Sequence, residues 1–129
     1  MRVSGKVCLV TGGAGGIGSE TARTLAREGG TVIVTDVSEA EGAPVAAECG
    51  GTFKRLDVSD FASWQAVVAE IIADYGRLDV LAHCAGIEGS YLSGGVDTDL
   101  ATWDKVIGVN LTGTFYGLKA VFPQMLKQR

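Results

Sequence analysis

Hydrophobic and polar positions follow two different periods along this chain. Short apolar runs, nearly continuous in the first two cases, recur between polar stretches in which apolar residues return with helical spacing. Continuous apolar runs of this length are typical of strands buried on both faces of a parallel sheet. The pattern predicts four strands, at 6–11, 31–35, 52–56 and 78–83. Right-handed crossovers then favour an α/β fold, a doubly wound parallel Rossmann-like sheet in the strand order 3-2-1-4.

The helical stretches lie at 16–29, 39–49, 60–75 and from Asp99 to about 127. Ser38 and Glu41 form a possible capping box for the second helix, but Pro44 predicts that this helix begins later. Pro123 predicts a bend or an early end in the last helix. The apolar stripe of the third helix is interpreted as core packing rather than as a ligand site; its members are Phe61, Trp64, Val68, Ile71 and Tyr75.

Composition and charge exclude several functional classes. The 129 residues are 47% hydrophobic and carry a formal charge of −4, and the longest basic stretch is Lys127–Arg129. We therefore expect a single domain over 1–129 and no nucleic-acid partner. No apolar run approaches the roughly 18 residues of a membrane span, and the amino terminus lacks a signal-peptide core. Three cysteines without a pairing motif and a single histidine favour a reduced, cytoplasmic protein without a metal site.

A glycine-dense turn, Thr11 to Gly18, directly follows the first strand. Backbone N–H groups that lack a neighbouring Cβ can approach a phosphate closely, and a helix beginning near Gly16 would add its positive end. Glycine is 19 of the 129 residues, so this pattern alone also fits a tight turn that binds nothing. The next strand and the acid behind it favour a dinucleotide site. Transfer of phosphate by a P-loop is excluded because Ser19, not lysine, follows Gly18.

Asp36 follows the second strand, where a carboxylate can accept hydrogen bonds from the hydroxyls of an adenosine ribose. A 2′-phosphate at the same place would meet like-charge repulsion. The neighbouring positions that could carry a compensating cation are Gly15 and Val37, and both are uncharged. The sequence therefore favours NAD over NADP as the cofactor.

Four motifs together resemble the short-chain dehydrogenase/reductase family. They are the glycine loop, Asp57-Val58 after the third strand, His83-Cys84-Ala85-Gly86-Ile87 after the fourth, and Val109-Asn110-Leu111-Thr112-Gly113 in the last helix. The resemblance implies that Asp57 binds the adenine amino group and that Asn110 supports a proton-relay water, a catalytic role. It implies a cofactor site made of Gly12, Gly15, Gly16, Ile17, Gly18, Asp36, Val37, Asp57, Val58, Cys84, Ala85 and Gly86.

Alternatives remain open at three of these positions. Asp57 also fits a helix N-cap, and Asn110 also fits a polar surface or bend residue. His83-Cys84 departs from the Asn-Asn of the family, whose side chains tie the sheet to the cofactor site. We interpret His83 as a structural substitute rather than as a general acid.

The resemblance implies hydride transfer between NAD and a secondary alcohol or ketone, in which a tyrosine with a lysine four residues later exchanges the proton. No Tyr-x-x-x-Lys occurs, and Tyr116 and Lys119 are three residues apart. We expect this chain to be the cofactor-binding, amino-terminal half of a longer enzyme, inactive alone and without the later strands. The alternatives are a short non-catalytic NAD-binding module and a homo-oligomer that binds nothing. Glu88, Tyr91 and Leu92 are candidates for a substrate pocket.

Overall fold

A computed structural model describes residues 1–89 and 96–129. Four strands alternate with helices, and Tyr91 and Leu92 lie outside the described residues. The strands are β1 (Val7–Thr11), β2 (Thr31–Asp36), β3 (Thr52–Arg55) and β4 (Val80–His83). The helices are α1 (Gly16–Arg27), α2 (Glu39–Glu48), α3 (Phe61–Tyr75), α4 (Leu100–Ile107) and α5 (Gly113–Lys127).

The four strands form one parallel sheet in the order β3-β2-β1-β4, which confirms the predicted fold and topology. In β1, Leu9 lies between Ile33 of β2 and Leu81 of β4. Because side chains alternate along a strand, β1, β2 and β4 each contribute to two cores. Leu9 and Ile33 pack with Trp64 and Ile71 of α3 on one face, and Val10 packs in the core of α1 and α2 on the other. The stripe of α3 is thus core packing, as predicted, except for Phe61, which lies outside this core.

Glycines and side-chain caps fix most helix ends where the sequence predicts them. Asp99 accepts a hydrogen bond from the backbone N–H of Thr102 and begins α4. Gly76, with φ of +74°, ends α3 in the left-handed conformation that glycine adopts without strain.

Pro44 does not delay the start of α2, and Pro123 does not end α5 early, so these two expectations are wrong. The helix α2 begins at Glu39, where the Ser38 hydroxyl accepts from Glu41, and it runs through Pro44. The helix α5 runs through Pro123 and ends at Lys127. Proline removes one backbone hydrogen bond, but tertiary packing supplies most helix stability in proteins. The buried residues Val45, Ala46 and Val121 anchor these helices on the sheet and on α3.

The final helical segment is not continuous α-helix. Residues Gly108–Thr112 form a π-helical turn between α4 and α5. Apolar side chains of this segment are exposed, and they form what we call the apolar face: Trp103, Leu111, Phe115, Leu118, Phe122 and Leu126. Among the described residues, no helix has the length and apolar character needed to cross a membrane.

Candidate functional site

The predicted cofactor residues come from different parts of the chain, and parallel pairing brings most of them to one edge. Parallel strands end on the same side of a sheet, so the loops after β1, β2, β3 and β4 meet there. They border a cleft of about 470 Å³. Predicted residues that line it are Gly12, Asp36, Val37, Asp57, Val58, Ala85 and Gly86. The opposite wall is formed by Asp104, Lys105, Gly108 and Val109.

Three glycines of the loop are explained by packing inside the protein. A Cβ on Gly12 would lie 2.8 Å from the backbone of Ala85, and the φ of Gly12 is +62°. A Cβ on Gly18 would collide with the carbonyl of Gly12, and Gly13 lies against Val34. These glycines let the loop fold tightly between the sheet and α1.

Gly15 and Gly16 are different, because packing does not require them. Both are exposed, and no protein atom lies within 4 Å of a Cβ built on Gly16. Gly15 is the N-cap of α1 and provides no side-chain hydrogen bond to the first turn. The backbone N–H groups of a first turn without a side-chain cap suit an anion, and the helix dipole adds to that preference. The space and the donors fit the diphosphate of a dinucleotide.

Asp36 lies at the end of β2, with its carboxylate at the rim of the cleft. One carboxylate oxygen accepts from the backbone N–H of Ala14, and the other accepts from that of Ser38, both at 3.1 Å. A carboxylate oxygen has further acceptor capacity, so these two contacts orient the group without exhausting it. Asp36 can therefore still accept hydroxyl donors from a ligand.

Asp57 is held by the turn that follows β3. Its Oδ1 accepts from the backbone N–H and from the hydroxyl of Ser59, at 3.0 and 2.6 Å. The N-cap of α3 is Asp60, which accepts from Ala62, so the N-cap alternative for Asp57 is wrong. Val58 is buried beside it, and its carbonyl accepts from the indole N–H of Trp64.

The segment after β4 is fixed by a buried hydroxyl of β1. Thr11 Oγ1 lies within 3.2 Å of the backbone N–H groups of Cys84 and Ala85. The same oxygen is 2.8 Å from Nδ1 of His83. The thiol of Cys84 lies 3.9 Å from the Thr21 hydroxyl of α1, away from the cleft. Ala85 and Gly86 therefore border the cleft, whereas Cys84 does not line it.

Asn110 lies in the π-helical turn, and both polar atoms of its side-chain amide form hydrogen bonds with one residue, Ile87. Its Oδ1 accepts from the N–H of Ile87 and its Nδ2 donates to the carbonyl of Ile87, both at 2.9 Å. Asn110 thus ties the helix to the segment after β4, and its predicted catalytic role stays a prediction. Tyr116 packs at a tilt against Phe61, with the ring centroids 5.3 Å apart, and Lys119 lies over the Phe61 ring, so neither side chain faces the cleft.

The remaining predicted residues lie beside the cleft rather than in it. Gly16 and Ile17 border a neighbouring open depression along α1, and Ile17 is 80% exposed. Gly18 is buried beneath the loop.

Sequence reasoning missed three charged residues near the cleft. Asp104 and Lys105 line it, although nothing in their local pattern distinguishes them from other surface residues of a helix. Arg55 is the partner of Asp36 in the β2–β3 register. The strand order could have revealed Arg55, because it follows from aligning the ends of neighbouring strands.

Comparison with known proteins tests the family resemblance. A family model described as short chain dehydrogenase matches residues 6–129. The chain belongs to this family. Members of the short-chain dehydrogenase family are oxidoreductases that use NAD or NADP, so the predicted family, fold and class of cofactor are confirmed.

Its relatives include enzymes whose names give different substrates. The chain is 39% identical over 131 residues to 2,5-dichloro-2,5-cyclohexadiene-1,4-diol dehydrogenase LinX of Sphingobium indicum, with 98% of this chain and 52% of the relative covered. It is 41% identical over 134 residues to the 3-oxoacyl-(acyl-carrier-protein) reductase FabG of Thermotoga maritima, with coverage of 100% and 54%.

A solved structure shows the same fold. A short-chain type dehydrogenase/reductase of Mycobacterium ulcerans superposes with a TM-score of 0.87 and 26% identity, covering 99% of this chain and 49% of that one. The chain therefore spans about half the length of the relatives it matches.

Proposed function

We propose that this chain forms the NAD-binding part of a short-chain oxidoreductase that moves hydride between NAD and a secondary alcohol or ketone. The carrying observation is the open first turn of α1 at Gly16, with Asp36 across the loop from it. Packing accounts for Gly12 and Gly18 but not for Gly16. A ligand with a diphosphate explains both the space and the uncapped N–H groups.

In this proposal the other predicted residues bind the rest of the dinucleotide. Asp36 accepts from the ribose hydroxyls, Val37 and Val58 flank the adenine, and Asp57 accepts from its amino group. The backbones of Ala85 and Gly86 border the ribose on the nicotinamide side. The bound cofactor supplies the hydride acceptor or donor, and the side chains of this chain bind and orient it.

Preference for NAD follows from the charge of Asp36. Its carboxylate is fixed by Ala14 and Ser38, so it cannot easily turn away from a 2′-phosphate. Arg55 on the neighbouring strand is the nearest cation in the register and would offset part of this repulsion. The fixed carboxylate of Asp36 at the rim outweighs the exposed cation of Arg55 on the adjacent strand, and we therefore propose NAD as the cofactor.

A binding role without chemistry is the second candidate for the chain itself. Tyr116 and Lys119, the pair closest to the family spacing, contact Phe61 rather than the cleft. General acid catalysis typically contributes about 10²–10⁴-fold, so a chain that lacks this group should turn over slowly. Assays of NAD-dependent oxidation with the 129-residue chain separate the two candidates: turnover at ordinary enzyme rates would contradict the binding role.

We also propose that a second copy of the chain covers the apolar face. Phe115, Phe122 and Leu111 are 59%, 54% and 65% exposed, and neighbouring apolar side chains extend the same surface. A contiguous apolar surface on a helix favours association. We expect sedimentation to show a dimer or larger species that Phe115→Glu dissociates. Val96→Glu is the control, because Val96 is 89% exposed and outside the apolar face. A wild-type monomer would contradict this association.

Calorimetric titration with NAD and NADP tests the proposed function. We expect NAD to bind with a Kd below the millimolar range and to bind more tightly than NADP. Failure of both to bind at millimolar concentration would contradict the dinucleotide site.

A further inference from the structure

His83 is a partly buried polar residue that does not line the proposed dinucleotide site. It ends β4, and its ring lies beside the indole of Trp64 with the centroids 5.8 Å apart. The residue is partly buried, but its Nε2 is inaccessible to solvent and has no hydrogen-bond partner among the described residues. An unpartnered buried polar atom costs free energy, and the ring makes its hydrogen bond through the other nitrogen.

The other nitrogen, Nδ1, lies 2.8 Å from the Thr11 hydroxyl, and the surroundings of that hydroxyl fix the proton. Thr11 Oγ1 accepts from the N–H of Ala85 at 3.2 Å, and it shares the N–H of Cys84, at 3.1 Å, with the Thr11 carbonyl, at 3.3 Å. A hydroxyl oxygen has two acceptor lone pairs and one donated proton. With backbone donors directed at both lone pairs, we infer that the hydroxyl proton points to Nδ1. Nδ1 is then an acceptor, and the ring proton resides on Nε2.

This chain of hydrogen bonds ends at the cleft. Thr11 is completely buried, and the segment it holds lies where Ala85 packs directly on Gly12. A Cβ on Gly12 would be 2.8 Å from the Ala85 backbone, so the two backbones pack without room for a side chain between them. Any loosening of Ala85 therefore moves the cleft wall and the glycine loop together.

We propose that His83 is a positioning residue of the dinucleotide site: its neutral Nε2–H form accepts the Thr11 proton and thereby holds Ala85 against the glycine loop. This inference rests on the proposed function. His83 acts only through Thr11 and the backbone, so it is not a catalytic acid.

Protonation of His83 would break this arrangement. An Nδ1–H group would become a third donor toward an oxygen with two lone pairs, and the hydroxyl proton would lose its acceptor. The neighbours that face the ring are Thr11 from β1 and Trp64 from α3, and neither carries a charge. Cys84 follows in the chain, with its thiol directed at Thr21. Burial alone lowers the pKa of His83 below its ordinary value of 6.5.

Nitrogen NMR of the imidazole tests the proton assignment without any ligand. His83 is the only histidine in the sequence, so its ring gives one set of signals. We expect the Nε2–H tautomer at pH 8, together with slow hydrogen exchange at the amide of Ala85. An Nδ1–H tautomer would overturn the proposal. This outcome does not depend on whether the chain binds NAD.

Substitution tests the positioning role. In His83→Asn, Oδ1 can occupy the place of Nδ1 because both atoms are bonded to Cγ, and the ring atom Nε2 is removed. We expect His83→Leu to raise the Kd for NAD about tenfold, the equivalent of one lost hydrogen bond, and His83→Asn to remain within about threefold of wild type. Equal affinity of His83→Leu and wild type would overturn the role of His83.

The pH profile separates positioning from simple packing. We expect the wild-type Kd for NAD to rise as pH falls below 6.5, the ordinary pKa of histidine, and the ring becomes protonated. His83→Asn should show a flatter profile over that range, because the asparagine side chain does not titrate. The same slope in both proteins would contradict the proposal. If wild type binds no dinucleotide at all, the proposed function fails, and the ligand-free NMR result still decides the state of His83.

Discussion

At the scale of single residues, the glycine loop contains two kinds of glycine. Gly12 and Gly18 are required because other backbone lies where a Cβ would stand, whereas Gly16 faces open space. The sequence shows the two kinds as the same letter in one motif, so only the packing separates them. Asp36 was predictable because it directly follows a buried strand. The link from His83 to Thr11 was not, because it depends on two side-chain orientations across paired strands.

Alanine substitutions at the two kinds of glycine should therefore affect different properties, NAD affinity in one case and stability in the other. Gly16→Ala should change the free energy of unfolding by less than about 1 kcal/mol, since alanine is favoured in a helix and the methyl group has room. It should raise the Kd for NAD at least about tenfold, because the methyl group occupies the proposed diphosphate space.

Gly18→Ala is the matched comparison in the same loop. Its Cβ would collide with the Gly12 carbonyl, so we expect the free energy of unfolding itself to fall. Chemical denaturation and calorimetry measure both quantities. Unchanged NAD affinity in Gly16→Ala would contradict the assignment of that space.

At the scale of elements, the apolar pattern predicted strands and helices well but missed how the last helix is built. The ends of α3 and α4 follow from Gly76 and Asp99, which act through their immediate neighbours. The helices with Pro44 and Pro123 continue because buried side chains hold them in place, and such tertiary contacts are not visible in local sequence. The π-helical turn at 108–112 likewise carries no local signal. It places Asn110 on the segment after β4, and π-turns often occur at functional sites.

Removing the Asn110 amide should release that segment. Asn110→Ala loses both hydrogen bonds to Ile87, and we expect about 1 kcal/mol lower stability together with weaker NAD binding. Thr114→Val is the control, since it removes only a hydroxyl bond to the Asn110 carbonyl on the same turn. Equal NAD affinity in the two variants would show that the Ile87 contacts do not shape the cleft.

At the scale of the whole molecule, the sheet order and the position of the cleft could be predicted from sequence. Both follow from short parallel strands and right-handed crossovers, which leave few arrangements. The opposite wall of the cleft, with Asp104 and Lys105, could not be predicted, because it depends on how α4 packs across the loops. The segment just before β4 is also held by a residue distant in sequence. Gln128 makes two hydrogen bonds to the backbone of Leu78, each of 2.9 Å.

Asp79 joins β1 to the start of β4 and should make stability depend on pH. Its carboxylate accepts from Arg77 and from the backbone N–H of Val7. Arg77 first, and then the Val7 contact, hold the pKa of Asp79 below its ordinary value of 3.8. The folded pKa is the lower one, so the stabilisation is complete above pH 3.8 and is lost as pH falls through the folded pKa.

We expect Asp79→Asn to lower the free energy of unfolding by about 1–3 kcal/mol at pH 7 and to flatten its acid dependence. Asp97→Asn is the control, because Asp97 is exposed in a turn. Denaturation curves between pH 3 and 7 provide the measurement. An acid dependence in Asp79→Asn as steep as that of wild type would contradict the role of this carboxylate.

The ratio of the Kd values for NADP and NAD, measured by calorimetry, tests the proposed site most directly. Asp36→Ala should weaken NAD binding about tenfold or more and bring the ratio close to one. Asp104→Ala removes the same charge from the opposite wall of the same cleft and should leave the ratio unchanged. A ratio that is the same in wild type and in Asp36→Ala would contradict the assignment of NAD to this site.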